Sequence, residues 1–395
     1  MPICLFFAAG IQRMTEPSVS SRQHYHQLDA LRGVAALSVV ISHFALVGPL
    51  EWASQSPFRV NSLGHQAVIL FFILSGFVLT LQLRSGRSIS YKDFLVKRIC
   101  RIYLPYLVVL VATFSIVNAL DVKPIKWLGG WGNEVWSGPF TGTEIADHLL
   151  FIGKYRAGQM IPVIWTLIYE LRISIVMPFV VAWVARVSAR TSIVVALCVS
   201  IVSFMLILLE GDDPQGANFG GDWPMTLHYA GMFVVGAVLA VHRTAWRQWL
   251  MKNGRLRPVL VISVLLYFLS RGALSMKLGP AGQYLYDWLV TAGSAGLICT
   301  SLVSARFAKL LEARPFAFLG QISYSLYLTH TIVLLTVIHL MPSASTMWRS
   351  ILIAAALEIP VATAMYLLIE RRTIMLGQFL TARRSAGAAS ANQTY

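Results

Sequence analysis

Charge is what this sequence has least of. Asp, Glu, Lys and Arg make up 12% of its 395 residues, against about 25% in an ordinary soluble domain. Apolar residues reach 56% and the mean hydropathy is +0.66. These values exclude a cytosolic enzyme, a disordered chain and a disulfide-stapled secreted module. The four cysteines, Cys4, Cys100, Cys198 and Cys299, lie far apart with no CxxC pair and no Cys/His cluster, so neither a disulfide framework nor a metal site is expected. Phosphate loops of the GxGxxG or GxxxxGK[ST] kind are also missing. Acidic residues are the scarcer sign, 17 against 32 Lys+Arg, for a net charge of +15. In a soluble chain that excess suggests nucleic acid. In an apolar chain it marks the cytoplasmic loops, and no nucleic-acid partner is expected. The opening MPICLFFAAGIQRM lacks the basic n-region of a signal peptide. Met14 is an alternative start, and residues 1–22 are set apart as a flexible segment.

What remains is long apolar runs. A spanning helix needs about 20 mostly apolar residues, and ten stretches qualify, near 33–50, 63–83, 102–120, 162–185, 191–210, 226–241, 258–274, 284–304, 317–340 and 349–369. With both termini in the cytoplasm, about three-quarters of the Lys and Arg fall in inside segments, as the positive-inside rule requires. The expectation is an all-α polytopic membrane protein of about ten transmembrane helices, spanning residues 23–372 and followed by a disordered cytoplasmic tail, 373–395. Two outside loops exceed a simple turn, 121–161 and 211–225. Trp127, Trp131 and Trp136 in the first suit either a sugar-contacting rim or the membrane interface.

Polar side chains inside spans are costly, so each one is informative. In LDALRGVAALSVVISHF, Arg32 and His43 are 11 residues apart. That spacing puts them on one helix face, about 16 Å apart along the axis. In YKDFLVKRICRIYLPY, Lys97, Arg98 and Arg101 form a cationic face suited to phosphate. In WTLIYELRISIVMP, Glu170 comes within about 2 Å of the His43 depth, where a carboxylate could orient the imidazole; a structural pair with Arg172 is the alternative. In GQISYSLYLTH, Ser323, Tyr327 and His330 form one polar stripe, read either as a substrate channel or as interhelical hydrogen bonding. Ser75 and Gly76 of FFILSGF are read as packing residues, and Glu358 faces the bundle interior without an assigned role.

These five segments, in this order, resemble the acyltransferase-3 family of bacterial membrane acyltransferases, over residues 27–372. The resemblance implies a multi-pass enzyme of the bacterial inner membrane that takes an acyl group, commonly acetyl, from cytoplasmic acyl-CoA. The group passes to a hydroxyl of a carbohydrate or glycolipid, such as lipopolysaccharide, exopolysaccharide or peptidoglycan. It places the family's motif histidine on His43, its entry arginine on Arg32, its paired arginines on Arg98 and Arg101, and its span-four glutamate on Glu170. Ile173 and Ser174 depart from an aromatic pair common in the family. Some members carry an extracytoplasmic esterase-like domain after the bundle; none is expected here, so a second transfer step would require a partner.

The residues fit that chemistry by themselves. Arg32, Lys97, Arg98 and Arg101 offer cations to a polyanionic CoA at the inner mouth, and an imidazole supplies a base near neutral pH. His43 acts as general base with Glu170 orienting it, or as a transient acyl carrier. Acyl-CoA is then a donor substrate rather than a bound cofactor; membrane lipid is the surroundings, and a homo-oligomer is compatible. A secondary transporter or flippase of a polar lipid or sugar is the competing function, disfavoured because inverted repeats and paired broken helices are not evident. A non-catalytic scaffold would leave His43 and Glu170 buried without use.

Overall fold

The computed structural model describes residues 25–391, apart from 56–61, 86–89, 121, 139, 152–159, 211–220, 253 and 270. The segment 1–22 and most of the loop 211–225 therefore lie outside the described residues. All regular elements among them are helical. The principal ones are α1 (His26–Phe44), α2 (Leu63–Leu83), α3 (Tyr91–Ala119), α4 (Ile164–Val184), α5 (Ala189–Glu210), α6 (Trp223–Val241), α7 (Leu256–Phe268), α8 (Ala281–Val303) and α9 (Arg314–Leu340). They are followed by α10 (Met347–Met365) and α11 (Arg371–Ala391).

Among the described residues, seven helices are long and apolar enough to cross a bilayer, and two bent pairs raise the number to nine. One bend, of 105°, follows α1 and the other, of 97°, follows α8. The stretch expected as a seventh span is the shorter apolar helix α7. The expectation of about ten thus holds for a polytopic bundle, but not as ten straight spans.

Local chemistry sets the helix limits. The Ser90 hydroxyl caps α3 by accepting from the Asp93 N–H at 3.1 Å. Pro105 then interrupts that helix, because proline has no N–H for the carbonyl four residues back. The turn before it, Ile99–Tyr103, is π-helical. A second π-helical turn, Tyr366–Glu370, joins α10 to α11. Residues 373–391, expected as part of a disordered tail, belong to helix α11, whose Gly377 lies against Cys100 and Lys97 of α3.

Two close helix crossings organise the bundle. At the first, α1 meets α9: a methyl at Gly33 would lie 2.4 Å from the Gly320 nitrogen, and one at Gly320 would lie 2.5 Å from the Asp29 carbonyl oxygen. Only backbone fits there. Gly33 faces Gly320 and His43 faces His330, so the two helices run parallel, ten residues apart at both ends of that register. At the second, a methyl at Gly76 of α2 would reach within 2.2 Å of the Phe233 carbonyl oxygen of α6. The packing role expected of Gly76 is what this contact requires.

A buried polar clamp, unanticipated from sequence, joins α2, α5, α6 and α8. The Asp287 carboxylate accepts from His65 Nε2 at 2.8 Å, from His228 Nε2 at 3.1 Å and from Gln283 Nε2 at 2.8 Å. Ser200 Oγ lies 2.6 Å from His228 Nδ1. Every side chain in the clamp has a partner, as burial of a charge demands.

Glu358 is different. It lies on the buried stripe of α10 between Ala354 and Ala362, 3% exposed, and neither carboxyl oxygen has a hydrogen-bond partner among the described residues. A buried polar group left in that state costs about 1–3 kcal/mol. Glu358→Leu is therefore expected to raise the unfolding temperature of the purified protein, and a fall would show that the carboxyl is holding the fold together. Gly320→Val, by contrast, should lower stability by at least the ~1–3 kcal/mol typical of overpacking. An unchanged melting temperature would contradict the α1–α9 crossing.

Candidate active site

Three helices converge on Glu170. Its Oε1 accepts from Arg98 Nη2 at 2.9 Å and from the Ser75 hydroxyl at 3.1 Å. The Arg98 guanidinium also donates to Ser174 Oγ, from Nη2 at 2.8 Å and from Nε at 3.1 Å. The Ser174 hydroxyl donates in turn to the Glu170 carbonyl oxygen at 2.6 Å. Arg98 is 7% exposed, and the pair meets the condition that makes a buried charge tolerable: an opposite charge plus enough hydrogen bonds for the remaining donors. The four residues α2 Ser75, α3 Arg98, α4 Glu170 and α4 Ser174 form one unit.

A cavity of about 740 Å³, counting its open part, lies beside this unit. Its charged lining consists of Asp29, Arg32, Arg101, Glu170 and Glu370; Ser75, Ser323, Tyr324, Tyr327, Thr166 and Phe71 supply much of the rest. Arg32 and Arg101 make no hydrogen bond or ion pair to another described residue. The two π-helical turns each end up delivering one charge to this wall: Arg101 from Ile99–Tyr103 and Glu370 from Tyr366–Glu370. Glu370 is held by the Ser325 hydroxyl at 2.6 Å. Single π turns of this kind are frequent at functional sites.

Beyond the cavity lies a histidine pair. His43, in the last turn of α1, has Nδ1 3.0 Å from the Val39 carbonyl oxygen and 3.2 Å from His330 Nε2. His330, fully buried midway along α9, has Nδ1 3.2 Å from the Leu326 carbonyl oxygen. Carbonyl oxygens only accept, so the network assigns the proton of each ring to Nδ1. His330 Nε2 is then an acceptor for the His43 Nδ1–H, and His43 Nε2 carries a lone pair without a hydrogen bond to any described residue. Because α1 stops nine residues short of α9, a loop fills the space above. Trp131 of that loop packs on His43 with ring centroids 5.3 Å apart, and Gly48 N–H donates to the Leu128 carbonyl at 2.9 Å. Trp127 Nε1 donates to the Pro342 carbonyl at 2.9 Å, and Trp136 to that of Met160 at 3.1 Å.

Several sequence expectations change here. Glu170 does not orient His43: equal depth does not make two residues neighbours, and the contacts give Glu170 to Arg98 and His43 to His330. Nor does Glu170 pair with Arg172, which instead donates to the Gly221 and Phe151 carbonyls at 2.6 and 3.0 Å and lies 3.9 Å from the Trp223 ring. The expected cationic face of Lys97, Arg98 and Arg101 is divided. The π turn rotates Arg101 to the cavity, Arg98 is consumed by Glu170 and Ser174, and Lys97 is not in the lining. Ser323, Tyr327 and His330 do share a stripe, with the first two in the cavity wall and His330 above it. Ser75, expected as a packing residue, donates to Glu170 Oε1. Ser174, in sequence a departure from an aromatic pair, is the small hydroxyl that reaches both Arg98 nitrogens.

The family model described as an acyltransferase domain matches residues 25–368. An O-acetyltransferase OatA of Staphylococcus aureus is 23% identical over 331 residues, covering 77% of this chain and 49% of its own. A peptidoglycan O-acetyltransferase OatA of Listeria monocytogenes is 24% identical over 364 residues, covering 85% of this chain and 54% of its own. The chain thus spans about half the length of the curated relatives it matches. No solved structure matches it.

The Glu170 unit can be tested by a double-mutant cycle. Arg98→Ala leaves a buried carboxylate without its cation and should cost about 3–5 kcal/mol. Adding Glu170→Gln should recover a large part of that loss. Additive effects in thermal unfolding would show that the two side chains do not depend on each other.

Proposed function

Because this chain belongs to the acyltransferase-domain family, we propose that it transfers an acyl group, acetyl in the simplest case, from cytoplasmic acyl-CoA to a hydroxyl of a bacterial cell-envelope carbohydrate. In this proposal the cavity opens to the cytoplasm, both chain ends are cytoplasmic, and the Trp131 loop faces the outer side of the plasma membrane. The names of the Staphylococcus and Listeria relatives favour O-acetylation, and the Listeria name favours peptidoglycan as the acceptor class.

The observation that supports this best is the state of His43. Its Nε2 is free of hydrogen bonds to described residues while Nδ1 is held by Val39 and His330. A general base needs that arrangement, one nitrogen fixed and the other open. The acceptor hydroxyl gives its proton to His43 Nε2 as its oxygen bonds to the thioester carbonyl carbon. The carbon–sulfur bond then breaks, and the sulfur takes the proton from His43. As the ring becomes cationic, His330 Nε2 accepts a stronger hydrogen bond from its Nδ1–H. His330 thus fills the orienting place first expected of Glu170, making it a positioning residue. Arg32 and Arg101, the two cavity cations without a described partner, take the CoA phosphates. The Glu170 unit holds the opposite wall in place.

Three kinetic outcomes follow for purified protein given acetyl-CoA and an acceptor glycan. His43→Ala should lower kcat by about 10²–10⁴-fold; near wild-type turnover would end the proposal. His330→Ala should lower kcat with the donor KM unchanged, and His330→Gln, which keeps an acceptor atom, should recover part of it. Arg32→Ala with Arg101→Ala should raise the KM for acetyl-CoA by roughly tenfold or more, the scale of one or two charge-assisted hydrogen bonds. Unchanged donor saturation would remove these arginines from the donor site. Trapping labelled acetyl on His43 would replace the general-base step with a covalent relay through the same ring.

A further inference from the structure

The donor cavity and the histidine pair are adjacent but not joined. Phe71, Thr166 and Tyr327 line the cavity, whereas His43 and His330 do not. Tyr327 OH lies 2.6 Å from Thr166 Oγ1, linking α9 to α4. The Thr166 hydroxyl donates to the Val163 carbonyl at 3.0 Å, so its oxygen is the acceptor and Tyr327 the donor. Phe71 packs edge-on against Tyr327, with ring centroids 5.7 Å apart. On the far face, the Tyr327 ring lies 6.1 Å from the ring of His330. Tyr327 and Thr166 are 6% and 5% exposed.

We propose that Tyr327 and Thr166, braced by Phe71, form a hydroxyl latch that shuts the donor cavity off from the histidine pair and so makes the protein select a carbohydrate hydroxyl over water. The proposal rests on the acyl-transfer function above. A thioester lying in a wet cavity in open contact with a general base would be hydrolysed. Water would give a proton to His43 as its oxygen bonds to the carbonyl carbon, the carbon–sulfur bond would break, and the sulfur would take that proton, releasing free carboxylic acid and CoA thiol. A closed partition prevents this. A single neutral hydrogen bond between two hydroxyls is also weak enough to be exchanged for contacts with an arriving donor, so the latch can open without unfolding any helix. Tyr327 and Thr166 then act as specificity-determining residues, whereas removal of a catalytic hydroxyl would simply stop turnover.

Two measurements test this. The first is release of CoA thiol from acetyl-CoA by the full chain in lipid nanodiscs without acceptor. Tyr327→Phe and Thr166→Val should each raise it at least tenfold over wild type, and His43→Ala combined with either should abolish the gain. Unchanged hydrolysis, or loss of transfer with no gain in hydrolysis, would overturn the latch. The second needs no acyl transfer. In a chain whose native cysteines are replaced, Ser323→Cys reports the cavity and His330→Cys reports the space beyond. A water-soluble thiol reagent should label Ser323→Cys equally fast with and without Tyr327→Phe, but His330→Cys at least tenfold faster with it. Equal labelling of His330→Cys in both backgrounds refutes the latch even if the transfer assay succeeds. Latch-dependent labelling in a protein that moves no acyl group would uphold the partition and remove only the functional proposal.

Discussion

The backbone contact of α1 with α9 fixes the rest of the arrangement. With no side chain between Gly33 and Gly320, the two parallel helices meet at that point and cannot slide without collision. Counting up ten residues from either glycine leads to a histidine. The pairing of His43 with His330 is therefore a consequence of register, not of attraction between two neutral rings. The same crossing brings Arg32, one residue before Gly33, to the cavity wall that Gly320 also lines. One steric constraint thus sets both the cation at the cavity and the imidazole beyond it.

The charged groups are arranged around that axis according to cost. Glu170 and Arg98 neutralise each other and share two serines, so neither is left as a lone buried ion. Arg32 and Arg101 are left without a described partner where the cavity can bring them an anion. The Asp287 clamp solves the same problem elsewhere, by surrounding one carboxylate with three side-chain donors. Proline and the π turn at Ile99–Tyr103 matter because they aim Arg98 and Arg101 in different directions, which a regular helix would not do.

Much of this was legible in the sequence, for identifiable reasons. Helical periodicity predicts which residues of one helix share a face, and it placed Arg32 with His43 and Ser323 with Tyr327 and His330. It carries no information about which helix lies opposite. Hence equal depth pairs Glu170 with His43 on paper, although its neighbours are Arg98 and Ser75. The π turn was hidden because only Pro105 signals it, and proline near a helix start is also an ordinary first-turn residue. Ser174 became meaningful only once Arg98 was seen to reach it. The Asp287 clamp does leave a signal in the sequence, since His228 and Asp287 are polar residues within apolar runs. The helix at 371–391 was obscured by an Ala/Ser-rich composition that resembles a solvated tail.

We propose that an acyl group reaches a surface carbohydrate by way of the His43 ring. The most direct measurement is mass spectrometry of envelope glycans from cells that carry the chain, lack it, or carry it with His43→Ala. The account predicts that a mass increment of one acyl group per modified sugar is present only with the intact chain. Identical glycan masses in all three, or an increment that survives His43→Ala, would contradict it.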